Sequence, residues 1–263
     1  MFSLNERQEK IRSLLSTRGR LNVSRLVEQM NVAAMTIRRD LIVLEKAGLL
    51  TRTHGGCVLH SPFASELSFP VKQRLRQEHK TAIAGHVIRY LKRDETVYLD
   101  TGTTALQVAR ALPPDLELQV FTNNLRIAME LFGRAGIRLT VYGGVMAHKN
   151  PDLAGEMALA QIQQYRLDVA IVGGDALDLG RGEFYGADAC TALLSQAAQE
   201  QSSRVIVVMD SSKFGKRGLA VAGRLAPGVT MITDNEVSRK DRSILRRTGA
   251  EIVFADMPSS NSL

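Results

Sequence analysis

Apolar residues recur at helical spacing in the first fifty residues of the chain. Between residues 34 and 48, Ile37, Leu41 and Leu44 fall on one side of a helix with 3.6 residues per turn. Gly48 can end this helix, because glycine adopts the left-handed conformation without Cβ strain. The pattern predicts a short amphipathic helix with one side in a core and the other side open.

Two earlier helices are predicted from the same kind of spacing. The first begins near Ser3 or Asn5, either of which can cap it, and contains Ile11. The second, which Ser24 can cap, runs to Met30, and a tight turn leads from it into the amphipathic helix. Two helices joined by a turn of this length are typical of a helix-turn-helix.

A β-hairpin is predicted after Gly48. Two short β-capable runs lie on either side of His54-Gly55-Gly56, and the tip between them carries Arg52 and His54. A basic hairpin beside a helix-turn-helix can serve as a wing that lies along the DNA backbone or the minor groove. The N-terminal fold is therefore predicted to be a winged helix-turn-helix.

The open side of the amphipathic helix suits a major groove. The guanidinium groups of Arg38 and Arg39 can bind phosphate oxygens or guanine edges, and apolar groups can touch thymine methyls. Taken alone, this stripe fits a solvated surface helix better than a DNA contact, since exposed arginine pairs are common. The agreement of helix, turn, helix and wing favours DNA binding. The candidate DNA contacts are Ser24, Met35, Thr36, Arg38, Arg39, Arg52 and His54.

Charge is unevenly distributed along the 263 residues. The formal net charge is +7, and residues 1–80 hold 14 Lys and Arg against 7 Asp and Glu. Residues 81–263 hold 20 of each, so the whole basic excess lies at the front of the chain. This asymmetry indicates a polyanion partner for the front only.

The second part of the chain alternates short apolar runs with helical stretches. Such alternation predicts an α/β domain with a mostly parallel sheet and helices on both faces. Residues 1–59 are expected to form the winged helix-turn-helix, 60–75 a linker, 76–256 the α/β domain and 257–263 a disordered tail. The predicted strands are 96–99, 118–121, 139–142, 169–172, 205–209, 230–233 and 252–254, with helices near 104–112, 124–133, 155–165, 189–200 and 238–247.

Polar residues and glycines follow the predicted strands. Ligands of parallel α/β sheets bind at the carboxyl ends of the strands, where glycine, helix amides and hydroxyl groups suit a phosphate. Each segment alone is typical of an ordinary turn, but five of them at matching ends favour a phosphate or sugar-phosphate site. Its candidates are Asp100, Gly102, Thr103, Thr104, Asn123, Asn124, Gly143, Gly144 and Asp175, with Lys213 as the cation.

Other classes of site find little support. Cys57 and Cys190 give neither a disulfide framework nor metal-ligand spacing. Neither a metal nor a cofactor is predicted. The N-terminus lacks the apolar core of a signal peptide and no apolar run is long enough for a bilayer, so a cytoplasmic protein without membrane contact is expected.

The combination of motifs resembles the DeoR family of bacterial transcription regulators. The Thr-Ile-Arg-Arg-Asp-Leu run from Thr36 to Leu41, followed by His-Gly-Gly at residues 54–56, is specific to that family. The second half also resembles its effector domain, at Asp100-x-Gly102-Thr103-Thr104 and in the Asp-Ser-Ser-Lys run at residues 210–213. That domain is similar in fold to ribose-5-phosphate isomerases. The resemblance implies that a phosphorylated sugar or related metabolite changes the affinity for DNA.

Two departures from the family pattern are visible. Ala33 stands where relatives place a serine at the start of the recognition helix, and this loss of a cap is expected to cost about 1 kcal/mol. Relatives also carry a Glu and a Lys-Arg pair at positions that fall on Thr191, Ser195 and Gln196. Asp188 is a further candidate for effector binding, in place of the missing Glu.

The leading hypothesis is a sequence-specific transcriptional regulator of a carbohydrate-metabolism operon, expected to be a repressor. Two DNA-bound heads require at least a dimer. The alternative is a sugar-phosphate isomerase or transferase with an attached DNA-binding head, in which Asp100, Asp175 or Asp188 acts as the base. A nonspecific nucleoid protein is disfavoured, because the second domain would then have no purpose.

Overall fold

The computed structural model describes residues 5–18, 20–47, 49–53, 55–59, 69–146 and 150–256. The chain divides into two compact units, Met1–Val71 and Lys72–Leu263. His54, Gly48 and the expected tail at residues 257–263 lie outside the described residues. No helix in the described part of the chain combines the length and the apolar character that a bilayer span requires.

The first unit has the elements that the sequence predicts for a winged helix-turn-helix. These elements are, in chain order, α1 (Glu6–Arg18), β1 (Arg20–Asn22), α2 (Val23–Met30), α3 (Ala34–Lys46), β2 (Leu50–Thr53) and β3 (Gly56–Leu59). Strands β2 and β3 pair as an antiparallel hairpin, and the short strand β1 pairs with the other side of β3.

A single apolar cluster holds these elements together. Ile37, Leu41 and Leu44 on the inner side of α3 are at most 1% exposed, which confirms the predicted core face. They pack with Ile11 of α1 and Leu26 of α2. Burying each of these side chains contributes roughly 1.5–3 kcal/mol before the entropic cost of ordering the chain.

The helix caps differ partly from expectation. Asn5 caps α1, because its Oδ1 accepts from the backbone amide of Gln8 at 2.9 Å while the Gln8 side chain accepts from the Asn5 amide at 3.1 Å. The prediction that Ser24 caps α2 is wrong, since the helix begins at Val23 with Asn22 as its N-cap. The strand pairing that includes Leu21 and Cys57 ends at Asn22. The helix therefore begins at Val23, two residues before the start that a cap at Ser24 would give.

The second unit is built on a seven-stranded parallel sheet that contains all seven predicted strands. The sheet is flanked by α5 (Gln77–Ile88), α6 (Thr103–Ala111), α7 (Leu125–Leu131), α8 (Glu156–Ile162), α9 (Ala189–Glu200) and α10 (Arg239–Arg246). Its strands are β4 (Thr96–Leu99), β5 (Leu118–Thr122), β6 (Ile137–Val141), β9 (Leu167–Val172), β12 (Ser202–Val208), β14 (Val229–Asp234) and β15 (Glu251–Ala255). They lie in the order β15-β14-β12-β9-β4-β5-β6, which confirms the predicted α/β class.

Several small elements escaped the sequence pattern. Two small antiparallel sheets are separate from the parallel sheet. One consists of β7 (Val145–Met146) and β8 (Leu153–Ala154), and the other of β10 (Ala176–Asp178), β11 (Glu183–Gly186) and β13 (Ala220–Arg224). The expected linker at residues 60–75 is helical in its last part, α4 (Phe69–Arg74). Phe69 is 3% exposed, and Pro70 fits the first turn of a helix.

Ala33→Ser tests the missing cap of α3. Ala33 has the extended N-cap conformation (φ −60°, ψ 145°) but no side chain that accepts a hydrogen bond. A serine hydroxyl there can accept an amide of the first turn, so we expect the first unit to gain about 0.5–2 kcal/mol. Amide hydrogen exchange along α3 measures the gain. Ala34→Ser, one residue inside the helix, is the matched control, and an equal effect of both substitutions would contradict the capping explanation.

Candidate functional site

The open side of α3 presents the residues expected to contact DNA. Met35 is 58% exposed, Arg38 and Arg39 are exposed, and Thr36 is half-buried at the edge of the stripe. Within the described residues, neither Arg38 nor Arg39 forms an ion pair that competes for its guanidinium group. The two guanidinium groups are therefore free to bind phosphate or a base edge.

Asp40 fixes how α3 stands against α1. Its carboxylate is buried and accepts from Arg7 Nε at 2.5 Å and from Gln8 Nε2 at 2.9 Å. The Asp40 carboxylate also raises the pKa of the Arg7 guanidinium. Arg7 and Gln8 of α1 thus contact the Asp of the Thr-Ile-Arg-Arg-Asp-Leu run, and these contacts orient the open side of α3.

The wing is tied to α3 by a side chain that was expected to contact DNA. Arg52 on β2 donates its backbone amide to Glu45 Oε1 at 2.9 Å, and its Nε lies 2.6 Å from Glu45 Oε2. The structure therefore gives Arg52 a role in positioning the wing. Ser24 is exposed in the first turn of α2.

The predicted sugar-phosphate residues follow strands of one parallel sheet and so lie along its carboxyl edge. From β4 the chain proceeds outward through β5 and β6, and from β9 it proceeds the other way through β12, β14 and β15. The junction of β4 and β9 is therefore a topological switch point, where parallel sheets open a crevice for ligands. Asp100 and Gly102 follow β4 there, and Asp175 follows β9.

Gly102 has the geometry of a loop that a ligand can approach. It is the N-cap of α6 with φ +106° and ψ 168°, a conformation essentially restricted to glycine. A Cβ placed on Gly102 would meet no atom within 4 Å, so the space beside it is open. Thr103 and Thr104 form the first turn of α6, whose amides favour an anion.

The Asp100 side chain is buried and contacts the start of that loop from the interior of the protein. It is 5% exposed, and its carboxylate accepts from the Thr101 amide at 2.8 Å and from the Tyr98 hydroxyl at 3.3 Å. Burial raises the pKa of Asp100 to about 6, although the Thr101 amide, the Ser195 hydroxyl and the Gly173 amide oppose the shift. Asp100 is thus a buried, hydrogen-bonded support for the loop.

Asn123 and Asn124 also have internal partners. Both are fully buried. Asn123 accepts from the Tyr98 hydroxyl and donates to the Leu153 carbonyl, at 2.9 and 2.7 Å. Asn124 caps α7 and donates to Asp152 Oδ1 at 2.5 Å. With their amides engaged, they hold the loops after β5 and before β8 in place.

The glycine pair after β6 and the acid before α9 have structural roles too. The Gly143 amide donates to Gln161 Oε1 at 2.9 Å. A Cβ on Gly144 would lie 2.5 Å from the Ala154 carbonyl oxygen, so close approach to β8 requires glycine. Asp188 is the N-cap of α9 and accepts from the Thr191 amide at 2.9 Å. These three residues therefore make internal contacts within the described part of the chain.

Sequence reasoning missed the residues that surround the rest of this edge. Residues 72–80, here called the basic corner, include the end of α4 and the start of α5 and bring cations to the ends of β9, β12 and β14. Lys72 Nζ lies 2.9 Å from Asp175 Oδ1. Arg76, which has a left-handed backbone (φ +51°), lies 3.2 Å from Asp210 and 3.3 Å from Asp234.

Part of the basic excess at the front of the chain therefore has an internal use. Residues 1–71 hold 10 Lys and Arg against 6 Asp and Glu, whereas residues 72–80 hold 4 against 1. Three of those four cations bind acidic or carbonyl groups of the second unit, so the excess available to a polyanion is smaller than the sequence indicated. The clustering of basic residues between 72 and 80 was the signal, but a charge count cannot show which carboxylates lie nearby.

One group of donors in the described residues has metal-ligand spacing. Atoms of His79, Asp234 and Glu236 lie within 4.8 Å of one another. The Arg76 guanidinium is 3.3 Å from Asp234 and 2.7 Å from Glu236. Because Arg76 contacts both carboxylates and His79 lies 2.9 Å from Glu236, we interpret the group as an internal ion-pair cluster.

Two family models match the chain. One, described as a DeoR-like helix-turn-helix domain, covers residues 7–63, and the other, described as the DeoR C terminal sensor domain, covers residues 75–235. Together they span both units.

Curated relatives match over most of their length. The chain is 36% identical to the transcriptional repressor AccR of Agrobacterium fabrum, over 89% of this chain and 90% of the relative. It is 32% identical to the glycerol-3-phosphate regulon repressor of Escherichia coli K12, over 87% and 90%. Among solved structures, a D-ribose-5-phosphate isomerase in complex with phospho-erythronic acid matches 52% of this chain and 54% of its own, with 16% identity and a TM-score of 0.39.

Asp100 is expected to make the stability of the second unit depend on pH. Its pKa of about 6 exceeds the ordinary 3.8, so between these values the folded state keeps a proton that the unfolded state loses. The free energy of unfolding should therefore fall by up to about 3 kcal/mol as pH rises from about 4 to about 6. Urea unfolding of the unmodified protein and of Asp100→Asn across this range isolates the effect, and identical pH profiles would contradict it.

Proposed function

Because the chain belongs to the DeoR family, we propose that it is a sequence-specific, DNA-binding transcriptional repressor whose affinity for DNA is controlled by a phosphorylated sugar or related metabolite. Its target is an operon of carbohydrate metabolism. It acts as at least a dimer on double-stranded DNA, because one short recognition helix reads too few base pairs for specificity.

The observation that carries the DNA-binding half is the open side of α3, held in place by Asp40. Arg38 and Arg39 project from a helix whose other side is buried, and the buried carboxylate of Asp40 anchors that helix to α1. The uncapped start of α3 supports the same reading. The Ala33 carbonyl accepts from the amides of Thr36 and Ile37, which leaves the first two helical amides for a DNA phosphate.

The sensor half rests on the switch point of the sheet. Gly102 leaves open space at the start of α6, and Lys213 and Lys72 supply positive charge at the end of β9. Glycine-opened amides with nearby lysines suit a phosphate group. The name of the Escherichia coli relative, a glycerol-3-phosphate regulon repressor, supports a phosphorylated metabolite as the class of effector.

The geometry favours a sensor over the isomerase alternative. Each of the three candidate bases has another task. Asp100 is buried under the loop, Asp175 is paired with Lys72, and Asp188 caps α9. A general base must reach the proton that it removes, and each of these carboxylates is already engaged by a neighbouring group of the protein. We therefore propose that the bound metabolite leaves unchanged.

Arg38→Ala and Arg39→Ala test the DNA-binding face. If the arginine reads a base, the affinity for the operator should fall by roughly 1–3 kcal/mol while the affinity for random DNA changes little. Fluorescence anisotropy with the upstream DNA of the protein's own gene measures both. Lys10→Ala, at an exposed position of α1, is the control. An equal loss on operator and random DNA would reduce the role of the arginine to phosphate contact.

Gly102→Val tests the sensor loop. Valine at φ +106° strains the loop, and its side chain fills the open space beside α6. Operator binding should survive, whereas its response to the phosphorylated metabolite should be lost. Gly85→Ala, at an exposed position of α5 where a Cβ meets no atom within 4 Å, is the matched control. A normal response of Gly102→Val would contradict the proposed site, and conversion of the metabolite would revive the enzyme alternative.

A further inference from the structure

Strand β6 forms one edge of the parallel sheet. It pairs with β5 on one side, and no other strand of the described residues pairs with its second side. The Tyr142 amide donates to the Thr122 carbonyl at 2.9 Å, so the even-numbered residues of β6 direct their backbone groups toward β5. Because backbone groups alternate along a strand, the amides of Leu139 and Val141 point outward. Such an edge can pair with a further strand.

Exposed apolar side chains accompany the carboxyl end of this edge. Val141 is 38% exposed, and Val145 and Met146, which follow it closely in the chain, are 78% and 57% exposed. Tyr165 is 39% exposed, and its ring centroid lies 6.0 Å from that of Tyr142, the residue directly after β6. Apolar side chains exposed beside outward backbone groups indicate a surface that associates with another chain.

Strands β15 and β13 also lie at sheet edges, but they lack this combination. Among the described residues, none of the exposed large apolar side chains lies on β15 or on α10, which packs beside it. On β13, the carbonyl groups of Val221 and Ala222 accept from the side chains of Gln196 and Gln199, at 2.6 and 2.7 Å. Helix α9 thus already occupies backbone acceptors of β13, whereas the outward side of β6 is the better candidate for pairing.

The sequence of β6 is suited to antiparallel pairing with a second copy of itself. When the pair is centred on Leu139, the outward amides of each copy face carbonyl groups of the other. Arg138 then lies beside Thr140 of the second copy. In the same way Val141 lies beside Ile137. Centring on Arg138 instead would place two like charges opposite each other, which is destabilising, and centring on Thr140 would leave Ile137 outside the pairing.

We propose that two copies of this chain associate through β6, by antiparallel pairing about Leu139 that joins their parallel sheets. This inference rests on the proposed function, which requires two DNA-binding heads, and it gives that dimer a location. A stable interface buries on the order of 800 Å² per partner, which is more than five residues of backbone supply. The exposed apolar side chains beside β6 extend the interface.

A proline substitution on the edge tests the pairing. Val141→Pro removes an outward amide and places a ring against the incoming strand, in a position that an edge strand tolerates. Sedimentation velocity on the full chain over a range of concentrations gives the dissociation constant of the dimer, which should rise tenfold or more. Val141→Thr, which keeps the amide and the β-branched shape, is the matched control and should change it much less. Thermal unfolding followed by circular dichroism checks that both variants are folded.

Charge substitutions at Thr140 test the register and do not depend on the proline variant. Thr140→Glu would face Arg138 of the second copy, twice in the symmetric dimer, and should tighten association several-fold. Thr140→Lys would face the same arginine with a like charge and should weaken association several-fold. Equal effects of the two substitutions would overturn the pairing about Leu139.

Hydrogen exchange supplies a readout that a merely structural strand would not alter. The amides of Leu139 and Val141 should be protected at concentrations where the dimer forms and should lose that protection on dilution. A dimer that none of these substitutions affects would overturn the inference while leaving the proposed function intact. A chain that is monomeric at every concentration and binds its operator as a single copy would overturn both the inference and the dimer of the proposed function.

Discussion

Charge balance at the carboxyl edge of the parallel sheet is the constraint on which the second unit depends. Strand after strand ends in an acidic residue, and Asp100, Asp210 and Asp234 are each at most 5% exposed. A buried carboxylate is costly unless it is paired or hydrogen-bonded. Asp100 relies on hydrogen bonds and a raised pKa, while the other two rely on Arg76. The cations of the basic corner thus offset the buried carboxylates at this edge of the sheet.

The first unit solves a smaller version of the same problem. Asp40 is buried between α1 and α3, and Arg7 and Gln8 satisfy its two oxygens. The resulting contact leaves Arg38 and Arg39 on the open side. In both units, an ion pair between an arginine and a buried carboxylate thus fixes the position of a neighbouring segment.

Periodicity predicted the large elements well because each buries a continuous apolar face. All seven strands of the parallel sheet were predicted from short apolar runs such as those around Val97, Val169 and Ile206. The core side of α3 was predicted from apolar residues at helical spacing. The short antiparallel strands were missed because two or three residues, as at Val145–Met146, carry no detectable period. Helix α4 was missed because it has only six residues. It also depends on Lys80 of the next helix, whose side chain donates to carbonyl groups near the C-terminal end of α4.

The candidate site was predictable as a location but not as a set of contacts. Strand ends were recognised from glycine and polar residues, yet Asn123 and Asn124 proved to be buried supports of loops. Whether such a residue faces a ligand or the interior depends on its tertiary partners, here Tyr98 and Asp152. The role of Lys72 and Arg76 depends on carboxylates more than a hundred residues away, which no local pattern reveals.

The most direct test of the central claim is an equilibrium titration of the full chain with its own upstream DNA, against scrambled DNA of equal composition at physiological salt. The titration is run without and then with the phosphorylated compound that the protein binds. A ligand-responsive repressor should prefer the upstream DNA by about a thousandfold or more, and the compound should change that affinity by at least fivefold. Equal affinity for both DNAs, or an affinity that the bound compound leaves unchanged, would contradict the account.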